Sequence, residues 1–219
     1  MPDESEVRHV PAGTPDWLRW ARRVQALAQN GLTFSRDPFD TERYAALRDV
    51  AVEIVAAHSA LPVETIRDLF AGGSGYATPQ VDVRGAVFRE DGALLLVRER
   101  SDGGWTVPGG WVDIGESPSE AVAKEVHEES GYIVRATKLL AVLDRDRHGH
   151  PPSAHQVYKL FLRCEILGGD AAAPGVEIDG VGFFGPRQIP PLSLTRVTPG
   201  QIARLFAHYE HPEWPTDFD

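Results

Sequence analysis

Cysteine is almost absent: Cys164 is the one thiol in 219 residues. No disulfide can form within the chain, which fits a reducing compartment and a fold held by its own core. Long apolar runs are absent too, and nothing approaches the roughly 20 residues of a membrane span. The opening residues MPDESEVRHV hold no apolar stretch, so a secretory signal is not expected there. These absences lead us to expect a cytoplasmic location and no membrane partner. Positive charge is scarce: 22 Lys and Arg stand against 32 Asp and Glu, a net −10. Gripping duplex nucleic acid by its phosphates takes a basic surface, so DNA is not an expected partner. A small anionic substrate fits if metal ions supply the local positive charge.

What is present suffices for a full core. The length allows one large domain, or one with a smaller companion. Residues 1–13 read as a tail. Residues 14–72 read as helical. Thr14 serves as N-cap with Pro15 at N1, Trp17, Trp20, Ala21, Val24, Leu27 and Ala28 form an apolar stripe, and Gly31 suits the end. A second helix starts near Asp40-Thr41 and a third at Pro62, closed by Gly72-Gly73. Two Trp and a broad apolar surface on three short helices imply packing on the main domain or on a second subunit, with a self-contained three-helix bundle as the alternative. Residues 73–80 are a Gly-rich linker.

Residues 81–210 change to strand patterns around one long helix, and 211–219 look irregular. Val81–Phe88 and Leu94–Val97 are strands joined by the Glu90-Asp91-Gly92 turn, the second buried on both faces. Further strands are read at Trp105–Val107, Leu139–Leu143, His155–Cys164 and Val181–Phe184. Thr198-Pro199 opens a last helix. Asp144–Pro152 is a charged loop, a lid or a contact for part of a ligand. His58, His148 and His155 read as solvent or core histidines.

The helix of interest is fixed at its start by the capping box Ser117-Pro118-Ser119-Glu120 and at its end by Gly131. Val122 and Val126 should face the core, with Lys124, His127 and Glu120 in solvent. Glu125, Glu128 and Glu129 share one face, because i, i+3 and i+4 are neighbours. Like charges repel, and two of them sit at the negative end of the helix dipole. Such a cluster suits a hard divalent cation with oxygen ligands. A solvated acidic face with Lys124–Glu128 pairing is the competing reading.

The spacing extends beyond the helix. Gly110, five residues, Glu116, seven residues, then Lys124-Glu125-Val126-His127-Glu128-Glu129-Ser130-Gly131-Tyr132 resembles the signature of the Nudix hydrolases. Lys124 departs from the family's Arg, whose planar fork orients a neighbouring glutamate, and Tyr132 stands at an aliphatic position. The stretches Tyr76–Pro79, Val81–Arg84, Val97–Glu99, Ser101–Gly103 and Trp105–Trp111 are similar to the branch with a helical N-terminal domain. The resemblance implies an α+β fold: a Nudix α/β/α sandwich, a mixed sheet between helices, after a small all-helical domain. It implies hydrolysis of a nucleoside diphosphate linked to another group, with Mg²⁺ or Mn²⁺ as cofactor, and a homodimer through the N-terminal helices. CDP-choline, split to CMP and phosphocholine, is the first substrate it suggests. ADP-ribose, nucleoside di- or triphosphates and RNA ends stand behind it. A sensor that binds a nucleotide sugar without cleaving it is the alternative of another class.

Carried onto this chain, the resemblance makes Glu125, Glu128 and Glu129 catalytic metal ligands, joined by Glu116 and the Gly110 carbonyl. Arg84 and Arg98 could grip phosphates or close strand-end salt bridges. Trp105 and Trp111, with Tyr76, could stack on a base or belong to the core. Glu177 and Asp179 are further candidates for the general base, or residues of a solvated loop.

Overall fold

The computed structural model describes residues 14–71, 73, 75–171 and 176–219; the expected tail at 1–13 and Gly72 lie outside them. Helices α1 (Asp16–Phe34), α2 (Pro38–Ala57) and α3 (Val63–Ala71) come first. Strands β1 (Gln80–Val87), β2 (Leu94–Glu99) and β3 (Trp105–Thr106) precede helix α4 (Pro118–Ser130). Strands β4 (Tyr132–Asp144), β5 (Val157–Gly169) and β6 (Ile178–Phe184), helix α5 (Pro199–Glu210) and strand β7 (Asp217–Phe218) complete the chain.

The three helices bury a core of their own: Leu18, Ala21, Ala51, Val52, Val55, Ile66 and Phe70. Two boundaries differ from expectation. Pro15, not Thr14, is the last extended residue before α1, and its carbonyl accepts the N–H groups of Leu18 and Arg19. Asp37, not the Asp40-Thr41 pair, caps α2, accepting from the Phe39 and Asp40 amides with Pro38 at N1. Gly31 does not end α1. It sits inside the helix where α2 crosses, and a β-carbon there would stand 2.2 Å from the Tyr44 ring. Its glycine is a packing requirement rather than a stop signal. The helical unit meets the rest of the chain through Ala154, which packs on its core, and through Arg22, which pairs with Asp146 and donates to the Ser153 carbonyl. Trp20, Leu27, Phe34 and Phe39 remain more than half exposed.

Two sheets form the larger unit. One is mixed, in the order β1-β5-β4-β7; the other is antiparallel, β3-β2-β6. The turn at Glu90-Asp91-Gly92 forms, with Gly92 at φ 80°, yet β1 and β2 part into different sheets after the Phe88–Leu94 bridge. Strand β2 runs between two cores: Leu94 and Leu96 pack toward α5, Leu95 toward α4. That accounts for its unbroken apolar run. The closing segment is not irregular, because Asp217–Phe218 pairs in parallel with Ala141–Val142. Asp219 then accepts the Asp144 amide and meets His148. Two residues cannot announce a strand by periodicity; the pairing is supplied from across the fold.

Candidate active site

Local backbone builds the site first. After β3 the chain folds back along β1. Gly85 N–H donates to the Pro108 carbonyl at 2.8 Å, Val83 N–H to the Gly110 carbonyl at 2.9 Å, and Val112 N–H to the Val81 carbonyl at 3.2 Å. Two glycines are needed here. Gly109 has φ 143°, and a β-carbon on it would lie 2.0 Å from the Val83 carbonyl. At Gly110 a β-carbon would lie 2.7 Å from the Glu125 carboxylate, so the missing side chain is the space Glu125 occupies.

Helix α4 then sets the carboxylates. Ser117 and Glu120 form the capping box and Gly131, at φ 80°, closes the helix. Val122 and Val126 are fully buried against β1, and only a hydrogen on Gly85 leaves room for Val126, whose methyl would be 2.6 Å from a β-carbon. This seats Glu125, Glu128 and Glu129 around a hollow of about 440 Å³, shared with Asp113, Lys124, Glu177 and Ile178. A roomier hollow of about 910 Å³ lies between α5 and the Pro186–Leu194 segment. It is apolar, with Glu210 its one charged lining residue, so size does not locate the chemistry.

The electrostatics of the acidic hollow are unfavourable without a cation. Burial pushes the Glu129 carboxyl up to about 7, although Arg84 and the Gly109 N–H, which donates to its Oε2 at 2.9 Å, oppose the rise. Burial, then the Glu128 charge, raises Glu125 as well. Glu116 Oε1 accepts from Lys124 Nζ at 2.8 Å, while its Oε2 is buried with no partner. Among the described residues no three acidic, His or Cys side chains stand in ligand geometry. The donor set is all oxygen and one donor atom is orphaned and buried, so these residues fit a hard divalent ion.

The other candidates divide between the readings the sequence left open. Arg84 is fully buried and gives both Nε and Nη2 to Asp82, at 2.8 and 2.7 Å. It is closed off from a substrate phosphate, and its charge acts on Glu129 instead. Lys159 Nζ adds a third bond to Asp82 at 2.8 Å. Arg98 pairs with Asp179 at 2.6 Å and stays 43% exposed at the side chain. That contact commits Asp179, whereas Glu177 stays exposed at the rim. Trp105 is partly buried, edge-on to Phe184, and belongs to the core. Trp111 is 48% exposed and available for stacking. Tyr76 is exposed beside a different hollow, against the helical unit. Lys124 does not point freely to solvent or pair with Glu128; it bridges Asp113 and Glu116. His150 is buried and donates through Nδ1 to the Leu194 carbonyl at 2.8 Å, and burial lowers it to about 4. The 144–152 loop is pinned by Asp146 to Arg22 and by His148 to Asp219. Sequence reasoning missed Asp82, Asp113 and Lys159. Asp82 and Lys159 become partners only through the parallel pairing of β1 with β5.

Comparison with known proteins agrees with this geometry. Residues 78–206 match the NUDIX domain model, and residues 15–70 match a UDP-X-like, N-terminal oligomerisation domain. A putative ADP-ribose pyrophosphatase of Bacillus subtilis (strain 168) is 47% identical over 203 residues, 93% of this chain and 97% of that protein. The crystal structure of a UDP-X diphosphatase is 34% identical, covers 95% of this chain and 100% of its own, and superposes with a TM-score of 0.60. An ADP-ribose pyrophosphatase structure from Streptococcus suis 89-1591 is 39% identical over 65% of this chain and 100% of its own, TM-score 0.59.

Proposed function

The chain belongs to the Nudix hydrolase family, and from that premise we propose that it cleaves the pyrophosphate of a nucleoside diphosphate linked to a second group, with ADP-ribose the first substrate to try. The observation that carries the reading is the acidic hollow itself: Glu125, Glu128 and Glu129 around it, and Glu116 with a buried unpaired oxygen. ADP-ribose comes first because two relatives bearing that description match this chain at 47% and 39% identity. UDP-linked compounds follow from the UDP-X diphosphatase. CDP-choline, suggested by the sequence resemblance, stays as the third candidate.

Glu116 through Oε2, together with Glu125, Glu128 and Glu129, would hold Mg²⁺ or Mn²⁺. When bound, the ion neutralises pyrophosphate charge and lowers the pKa of a bound water. The Gly110 carbonyl already accepts the Val83 N–H and has one lone pair left to contribute. The Gly109 N–H fixes Glu129 by one oxygen and leaves the other free. Glu128 and Glu129 would accept the proton of the attacking water in this reading, with Glu177 at the rim as the other candidate. Arg98 and Trp111, both about half exposed, offer a cation and a flat apolar face to the substrate. The exposed Trp20, Leu27 and Phe34, spaced seven residues apart on α1, support a homodimer through the helical unit.

A hydrolysis screen with Mg²⁺ and Mn²⁺ over ADP-ribose, UDP-sugars, CDP-choline, nucleoside di- and triphosphates and short RNA tests the reading. Release of a nucleoside monophosphate, with the highest kcat/KM for ADP-ribose, is expected. Metal-dependent cleavage of none of them would leave binding without turnover, the sensor reading.

A further inference from the structure

Asp113 belongs to neither the four glutamates nor the spacing that carries the resemblance, yet it shares a cation with Glu116. Lys124 Nζ donates to Asp113 Oδ2 at 3.0 Å and to Glu116 Oε1 at 2.8 Å. The two acceptors are the ends of one turn. Glu116 N–H donates to the Asp113 carbonyl at 3.1 Å, and Gly115 takes the positive φ, 97°, that such a turn asks of its third residue. The lysine closes the same turn a second time through the side chains.

The bridge answers a weakness of lysine. A guanidinium grips one carboxylate through two parallel N–H bonds, and its plane fixes the orientation of both groups. An ammonium on a four-carbon stem is a point donor. One Lys–Glu contact leaves the rotamers of both side chains free, and an exposed pair of that kind is worth little. A second acceptor removes the freedom, because Nζ must then sit where both distances are met. Glu116 is thereby held by Oε1 and keeps Oε2 buried and unpaired.

We propose that Asp113 is a positioning residue for the metal-binding carboxylates: it makes Lys124 a two-acceptor clamp that holds Glu116 as the fork of an arginine would hold it alone. The proposal rests on the metal-dependent reading above. Its mark is a dependence on which cation stands at 124. With lysine, Asp113 is needed; with arginine, it is dispensable.

Four full-length chains decide it: wild type, Asp113→Asn, Lys124→Arg and the double variant. Mn²⁺ alone is titrated into each and followed by electron paramagnetic resonance, and kcat and KM are measured on the best substrate of the screen. In the lysine chain, Asp113→Asn is expected to weaken Mn²⁺ binding and lower kcat by about tenfold, with KM little changed. In the arginine chain the same change should cost less than about twofold in both. Asp113 has a 72% exposed side chain, so melting temperature should not move. Equal losses in both backgrounds would make Asp113 a direct ligand and overturn the clamp; no loss with lysine would overturn it too. A wild type that binds Mn²⁺ but cleaves nothing sinks the proposed activity, and the Mn²⁺ titrations alone then uphold or overturn the clamp. A wild type that binds no Mn²⁺ overturns both.

Discussion

Two charged clusters lie on either side of β1, and they are balanced in opposite ways. On one face Asp82 is buried among its own cations, Arg84 and Lys159, which share three hydrogen bonds to it of 2.7–2.8 Å. Burial alone would raise the Asp82 carboxyl; Arg84 and Lys159 outweigh it and hold the group at about 2. On the other side, on the helix packed over Gly85, Glu125 and Glu129 are partly buried and their carboxyls are pushed up. The chain brings Arg84 near Glu129 but does not neutralise the group. A cluster that is complete within the chain is structural. One that is left short of positive charge is waiting for a ligand.

The same acid-to-amide change should therefore do opposite things on the two sides. Asp82→Asn strands the buried Arg84 charge and takes the anion from Lys159, which burial already lowers to about 7, and is expected to destabilise the fold by about 3–5 kcal/mol, read by denaturant unfolding. A stable Asp82→Asn protein would mean that the interior cluster is hydrated and the contrast false. Glu129→Gln should lower metal-dependent kcat by about 10²–10³-fold, with the metal-free melting temperature held or raised, because it removes a charge that burial opposes. Retained turnover would remove Glu129 from the site.

The pH dependence of the metal-free protein separates the clusters next. The folded state binds the Glu129 proton more tightly than the unfolded chain does. Stability should then fall as pH rises from about 4.5 to 7, by up to roughly 3 kcal/mol. Asp82 runs the other way: its contribution is present above about pH 4 and is lost as pH falls toward 2. Melting curves in EDTA across this range should show both limbs, and Mg²⁺ should flatten the upper one. A flat upper limb without metal would contradict the burial of Glu129. The smallest effect is steric. Gly85→Ala pushes a methyl against Val126 and should cost about 1–3 kcal/mol, with kcat reduced more than in a surface control because α4 carries the proposed ligands Glu125, Glu128 and Glu129.

How much of this was legible in sequence depended on how local each cause is. The α4 boundaries were readable because Ser117, Glu120 and Gly131 act within one turn of the residues they cap. The unbroken run of β2 announced burial on both faces for the same reason. Gly31 misled, since a helix stop and a helix crossing both ask for glycine and only Tyr44, brought close by the fold, separates them. Arg84 stayed open between a phosphate ligand and a salt bridge, because its partners depend on which strand lies beside β1. The four glutamates were legible as a group through their spacing. The clamp at Asp113 was not, because it depends on a turn bringing two carboxylates to one ammonium.

The caps on α4 have a consequence for how the gene can change. With its start locked by Ser117, its end by Gly131 and its flank pressed on Gly85, the helix has no slack in phase. One residue inserted between Glu120 and Glu125 would turn everything after it by about 100° and carry the carboxylates away from the Gly109 amide. Substitutions along the exposed side of α4 are tolerable to this arrangement, but insertions and deletions are not. What inheritance has to preserve here is a count as much as a set of residues.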